Sequence, residues 1–140
     1  MLYLDTSLLV ATLTDEIKTA DAQGWLAKQP LASLAISDWV VAELSAALSI
    51  KLRTGQITLP YRANALATFA QLTARSFEVW TISGPQFHAA AKYADQYTHG
   101  LRAGDALHLA ISADHGATLC TLDRQLAQAG NALGVKTLLL

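Results

Sequence analysis

The sequence predicts an α/β protein, a three-layer α/β/α sandwich around a parallel sheet of about five strands. Three observations carry this expectation. Short apolar runs recur as LYLD, SLAI, FEVWT, ATLCT and VKTLL. Longer stretches with helical spacing separate them, the pattern of a parallel sheet covered on both faces. Glycine and proline punctuate the boundaries at Gly55, Pro60, Gly100, Gly116, Gly130 and Gly134.

In chain order, the first strand spans Leu2–Asp5 and is followed by helices at Thr6–Leu13 and Asp15–Lys28. A second strand covers Ser33–Ile36. Ser37 or Asp38 can cap the next helix, which runs to Gly55, a natural C-terminal stop. Pro60 suits the first turn of a helix ending near Arg75. The third strand is Phe77–Thr81, and the helix after it, Pro85–Tyr97, breaks at His99-Gly100. A helix from Arg102 to His115 stops at Gly116 and leads into the strand Ala117–Thr121. Asp123–Ala129 is the last helix before Gly130 and Gly134 release the chain into Val135–Leu139.

The 140 residues fit one domain over 1–140, long enough to bury a sizeable core. A hydrophobic share of 52% against 15% charged excludes intrinsic disorder. The uncharged stretches carry Gln, Ser, Thr and Gly and do not read as membrane spans. The N-terminus has no basic region and places Asp5 where an export signal would be apolar, so the protein is expected to be soluble and cytoplasmic. Cys120 is the lone cysteine, which excludes an intramolecular disulfide and reads as core filler. A net charge of −1 argues against a generally basic nucleic-acid coat, although a local patch with a metal can still hold a phosphodiester.

Four carboxylates sit in apolar company. Asp5 ends the first apolar run, Glu43 and Asp105 interrupt apolar helical stretches, and Asp123 ends ATLCTLD. Removing an unpaired carboxylate from water costs several kcal/mol, so clustered acids in such a frame call for a cation. Glu43 has Trp39, Val40, Ala46 and Ala47 at helical spacing, which places it on the apolar face rather than with Ser45 and Ser49. Asp105 lies in LRAGDALHLAISADHG, a helix with almost no polar face, and Gly104 beside it leaves room where a metal or phosphate would approach.

Each acid also has a plainer explanation. Glu43 could be an ion-paired surface side chain, Asp105 could complement the helix dipole, and Asp5 or Asp123 alone could be an N-cap. Taken jointly, placement at strand ends and on central helices puts all four within reach of one cleft. Thr6, Ser7 and Thr121 offer hydroxyls to orient a carboxylate or a bound water. His88, His99, His108 and His115 show no zinc-like spacing with the cysteine, and are not expected to be ligands. Trp25, Trp39 and Trp80 read as core anchors. An oxygen-only set suits Mg²⁺, with Mn²⁺ as a substitute, and the implied chemistry is phosphodiester hydrolysis.

These residues resemble a known family. LDTSLLV at 4–10, AEL at 42–44, RAGDALHLA at 102–110, TLDRQL at 121–126 and LGV at 133–135 match PIN-domain ribonucleases, and among them the VapC-type toxins of toxin–antitoxin pairs. The run around Asp105 is the most specific of these, and the match covers the whole chain. The resemblance implies that Asp5, Glu43, Asp105 and Asp123 form an acidic quartet for Mg²⁺, with Thr6 or Ser7 positioning Asp5. It further implies an RNA endonuclease acting on structured RNA such as tRNA or rRNA, an antitoxin that blocks the cleft, and a homodimer. The near-neutral charge leaves few cations for an RNA groove, with Arg53, Arg102 and Arg124, besides Lys51 and Arg62, as candidates. The competing reading is a non-catalytic module whose acids capture an arginine of a protein partner. A phosphoaspartyl phosphatase would want a second acid where Ser7 stands, and a receiver domain would want an N-terminal acidic pair.

Overall fold

The computed structural model describes all 140 residues apart from the side chain of Leu31. Five parallel strands form one sheet in the order β3-β2-β1-β4-β5. They are β1 (Leu2–Leu4), β2 (Leu34–Ser37), β3 (Glu78–Trp80), β4 (Thr118–Thr121) and β5 (Thr137–Leu139). Seven α-helices connect them: α1 (Thr6–Leu13), α2 (Thr19–Leu26), α3 (Asp38–Arg53), α4 (Leu59–Ser76), α5 (Gly84–Asp95), α6 (Ala103–Asp114) and α7 (Arg124–Ala132). Right-handed crossovers in this order place α1–α4 on one face and α5–α7 on the other, the three-layer arrangement the sequence predicts.

The central strands are apolar because they are buried on both faces. Tyr3, Leu4, Ala35, Ile36, Leu119 and Cys120 are completely enclosed. Burial pushes the Cys120 thiol up to about 12, consistent with an inert core position. Gly130 of α7 lets that helix close on β5, since a Cβ there would lie 2.4 Å from Thr137 Cγ2 and 2.9 Å from Leu109 Cδ2. Among the described residues, no helix is long and apolar enough to cross a membrane.

Three local details differ from the sequence reading. The second helix begins at Thr19 instead of Asp15, because the Thr19 hydroxyl accepts from the Glu16 amide and donates to the Thr14 carbonyl, closing a turn. A 3₁₀ turn at Leu31–Ser33 delays β2 by one residue. Ser37 occupies the N-cap position of α3 yet makes no capping bond, and Asp38 is already in the first turn.

The chain runs β1 to β2 to β3 outward in one direction and then returns to lay β4 on the other side of β1. The switch point of the sheet therefore lies between β1 and β4, where open α/β sheets bind ligands at the carboxyl ends of their strands. Asp5 follows β1 and Asp123 lies two residues beyond β4.

Candidate active site

Asp5 is only 4% exposed. It caps α1 by accepting from the Leu8 amide at 3.2 Å, and it accepts from the Ser7 hydroxyl at 2.6 Å and the Thr121 hydroxyl at 2.7 Å. No lysine or arginine pairs with it among the described residues. Burial raises its carboxyl above the ordinary value, and nearby His108 with the three hydrogen bonds only partly opposes that.

The same hydroxyls reach toward Asp123. The Asp123 amide donates to Thr121 Oγ1 at 2.9 Å, and the Leu122 amide donates to Ser7 Oγ at 3.0 Å. Asp123 itself is exposed and caps α7, accepting from the Gln125 and Leu126 amides at 2.8 and 3.0 Å. Asp105, partly exposed in the first turn of α6, accepts from the Arg102 amide at 3.1 Å.

Glu43 projects from α3 toward α6. One of its oxygens, Oε2, accepts from Thr6 Oγ1 and bonds His108 Nε2 at 2.6 Å. Burial pushes the Glu43 carboxyl upward, but the hydrogen bond from the adjacent His108, with Thr6 and the nearby Trp39 indole, outweighs it and holds the carboxyl below its usual value. Its other oxygen fills the space over Gly104, where a Cβ would come to 2.8 Å from Oε1 and 3.3 Å from the Trp39 ring. The missing side chain at 104 thus makes room for Glu43 and Trp39, the neighbours that crowd that position.

Of the hydroxyls singled out in the sequence, Ser7 and Thr121 bond Asp5, whereas Thr6 bonds Glu43. His108, discounted for lack of ligand spacing, is 3% exposed and holds Glu43. Only the DALHLA spacing hinted at it: three residues after Asp105, it lies on the same side of α6. An open cleft of about 790 Å³ adjoins the site, with Thr6, Ser7, Lys18, Lys51 and Asp123 among its walls. Lys51 pairs across it with Glu16 at 2.8 Å. Arg53, Arg102 and Arg124 are exposed but do not line this cleft. Among the described residues, no three His, Cys, Asp or Glu side chains are already gathered to hold a metal ion.

The model of the PIN domain matches residues 2–132. The chain belongs to the PIN-domain family. Solved PIN-type structures share its fold at low sequence identity. VapC20 of Mycobacterium tuberculosis, a sarcin-ricin loop cleaving toxin, superposes with a TM-score of 0.75 at 17% identity, covering 93% of this chain and 95% of that one. FitAcB of Neisseria gonorrhoeae gives 0.72 at 20%, over 98% and 96% of the two chains. VapBC2 of Rickettsia felis, bound to a DNA fragment from its promoter, gives 0.70 at 18%, over 100% and 99%. No curated protein matches the chain by sequence.

Proposed function

We propose that this PIN domain is a metal-dependent endoribonuclease, the toxin of a toxin–antitoxin pair, formed as one nuclease domain over residues 1–140. The observation that carries this reading is Asp5: a carboxylate 4% exposed at the switch point of the sheet, held by neutral donors and one nearby histidine, with no lysine or arginine partner among the described residues. A carboxylate in such a place favours a bound cation.

Asp5, Glu43, Asp105 and Asp123 would hold Mg²⁺, or Mn²⁺ in its place. Their donor set is all oxygen, which suits these ions. Asp105 and Asp123 lie at helix starts with side chains open to solvent, able to turn toward Asp5. The ion would supply a polarised water and neutralise charge on a phosphoryl oxygen. Ser7 and Thr121 keep both Asp5 oxygens oriented, Thr6 and His108 orient Glu43, and Lys18 and Lys51 offer phosphate contacts along the cleft. The substrate class is structured RNA such as tRNA or rRNA, as VapC20 acts on the sarcin-ricin loop. A cognate antitoxin that covers the cleft, a homodimer and a cytoplasmic location complete the proposal.

The test is cleavage of total bacterial RNA by the purified protein with Mg²⁺, beside the same reaction with EDTA and with Asp105→Asn. Discrete fragments in the wild-type Mg²⁺ lane alone are expected. Intact RNA in every lane from folded, antitoxin-free protein favours the arginine-capturing module instead.

A further inference from the structure

A row of hydrogen-bonded side chains crosses the interior behind Glu43. Ser37 Oγ lies 2.7 Å from Tyr3 Oη, Tyr3 Oη lies 3.0 Å from His108 Nδ1, and His108 Nε2 lies 2.6 Å from Glu43 Oε2. Four elements contribute: β2, β1, α6 and α3. Ser37 and Tyr3 are fully buried and His108 is nearly so.

The direction of the protons follows from valence. The Glu43 carboxylate only accepts, so His108 Nε2 carries a proton and donates it. In a neutral ring, Nδ1 then bears the lone pair and accepts from the Tyr3 phenol. An ordinary phenol titrates only at about pH 10, so Tyr3 has its proton for this bond. The phenol oxygen in turn accepts from Ser37, whose hydroxyl is turned toward Tyr3 and makes no capping bond to α3. Trp80 stacks on Tyr3 at 5.6 Å and 8°, fixing the ring that aims the phenol.

A leucine at 108 would fill such a core site with no polar group to satisfy. Buried polar rows are costly unless complete. This one is complete, and it ends on a carboxylate that the nuclease reading needs in one orientation. We infer that His108 is a positioning residue for Glu43, itself held in its Nε2–H form by Tyr3 and Ser37. Removal of the groups that orient a metal-binding side chain typically lowers affinity or activity about 10- to 100-fold. The inference rests on the proposed function for its effect on cleavage, but its geometry stands without it.

The experiment compares wild type with His108→Leu, His108→Gln and Tyr3→Phe in Mn²⁺ titration of the metal-free protein and in RNA cleavage, together with the ¹⁵N spectrum of the wild-type imidazole. Expected are a proton on Nε2 of His108, and a loss of about tenfold or more in Mn²⁺ affinity and kcat for His108→Leu with KM little changed. His108→Gln, whose amide N–H reaches the same carboxylate, recovers most of that loss, and Tyr3→Phe falls between. An unprotonated Nε2, a folded His108→Leu with wild-type Mn²⁺ affinity, or His108→Gln no better than His108→Leu overturns the assignment. If His108→Leu does not fold, Tyr3→Phe and the spectrum decide. If no RNA is cut by wild type, the nuclease reading fails while the spectrum and Mn²⁺ affinities still judge His108.

Discussion

Gly104→Ala separates the chemistry at Glu43 from the stability of the fold. Alanine in place of glycine within a helix adds about 1 kcal/mol of stability from propensity alone. At position 104 the new Cβ would meet Glu43 Oε1 at 2.8 Å, a contact that forces a shift, and the Trp39 ring at 3.3 Å. Glu43 is the movable partner, but its other oxygen is tied to Thr6 and His108. Shifting it strains or breaks one of those bonds, and a hydrogen bond to a charged group contributes about 1.5–3 kcal/mol. The propensity gain offsets only part of this, so the net loss is about 0.5–2 kcal/mol, a few degrees in Tm for a chain of this size. Cleavage should fall much further, by about tenfold or more, because the carboxylate leaves its aimed position. Thermal melts and single-turnover cleavage at saturating Mg²⁺ measure the two separately. A Gly104→Ala protein that cuts RNA at the wild-type rate would refute the placement of Glu43 at the reaction centre.

Two further expectations concern the other acids. The folded form of Asp5 holds its proton to higher pH than the unfolded form, whose value is about 3.9. Its contribution to stability is therefore fully present below that value and is lost as pH rises through the raised native one. Asp5→Asn, which can still cap α1, should flatten the decline of metal-free stability with rising pH and melt at or above wild type in EDTA near neutrality; a lower Tm there at every pH would mean the carboxylate is structural. Asp105→Asn should abolish cleavage and leave the metal-free Tm equal or higher. Added Mg²⁺ should raise the wild-type Tm, by about 2.7 kcal/mol of stability at 100 times Kd, and the variant's much less; equal shifts would remove Asp105 from the metal site.

The central strands were readable because burial on both faces leaves them largely apolar, and the turn glycines marked where helices stop. The acids stood out for the opposite reason, as charge inside apolar runs. What could not be read was pairing at a distance. Ser37 has the residue type and position of a cap, yet its hydroxyl is claimed by Tyr3, 34 positions earlier. Thr6 sits beside Asp5 in sequence, but the turn into α1 sends its hydroxyl to Glu43. His108 has no ligand spacing because its partner is 65 residues away on another helix. The guessed arginines failed to mark the cleft for a related reason: exposure is visible in sequence, but the wall that Lys51 and Glu16 share forms only when α3 meets the loop after α1.

The place of β1 in the sheet has a consequence for synthesis. Its neighbour on one side, β2, arrives about thirty residues later, whereas on the other side Leu2, Tyr3 and Leu4 wait for Thr118, Leu119 and Cys120. The Asp5 amide likewise bonds the Cys120 carbonyl, and the Asp5 carboxylate takes one of its donors from Thr121. A nascent chain that has emerged only through α5 can pair β1, β2 and β3, but it lacks β4 and the Thr121 hydroxyl that complete the surroundings of Asp5. Long-range parallel pairing of this kind closes late, because the loop entropy must be met before the contacts form. On the proposed nuclease reading, chains interrupted before β4 should not cut RNA.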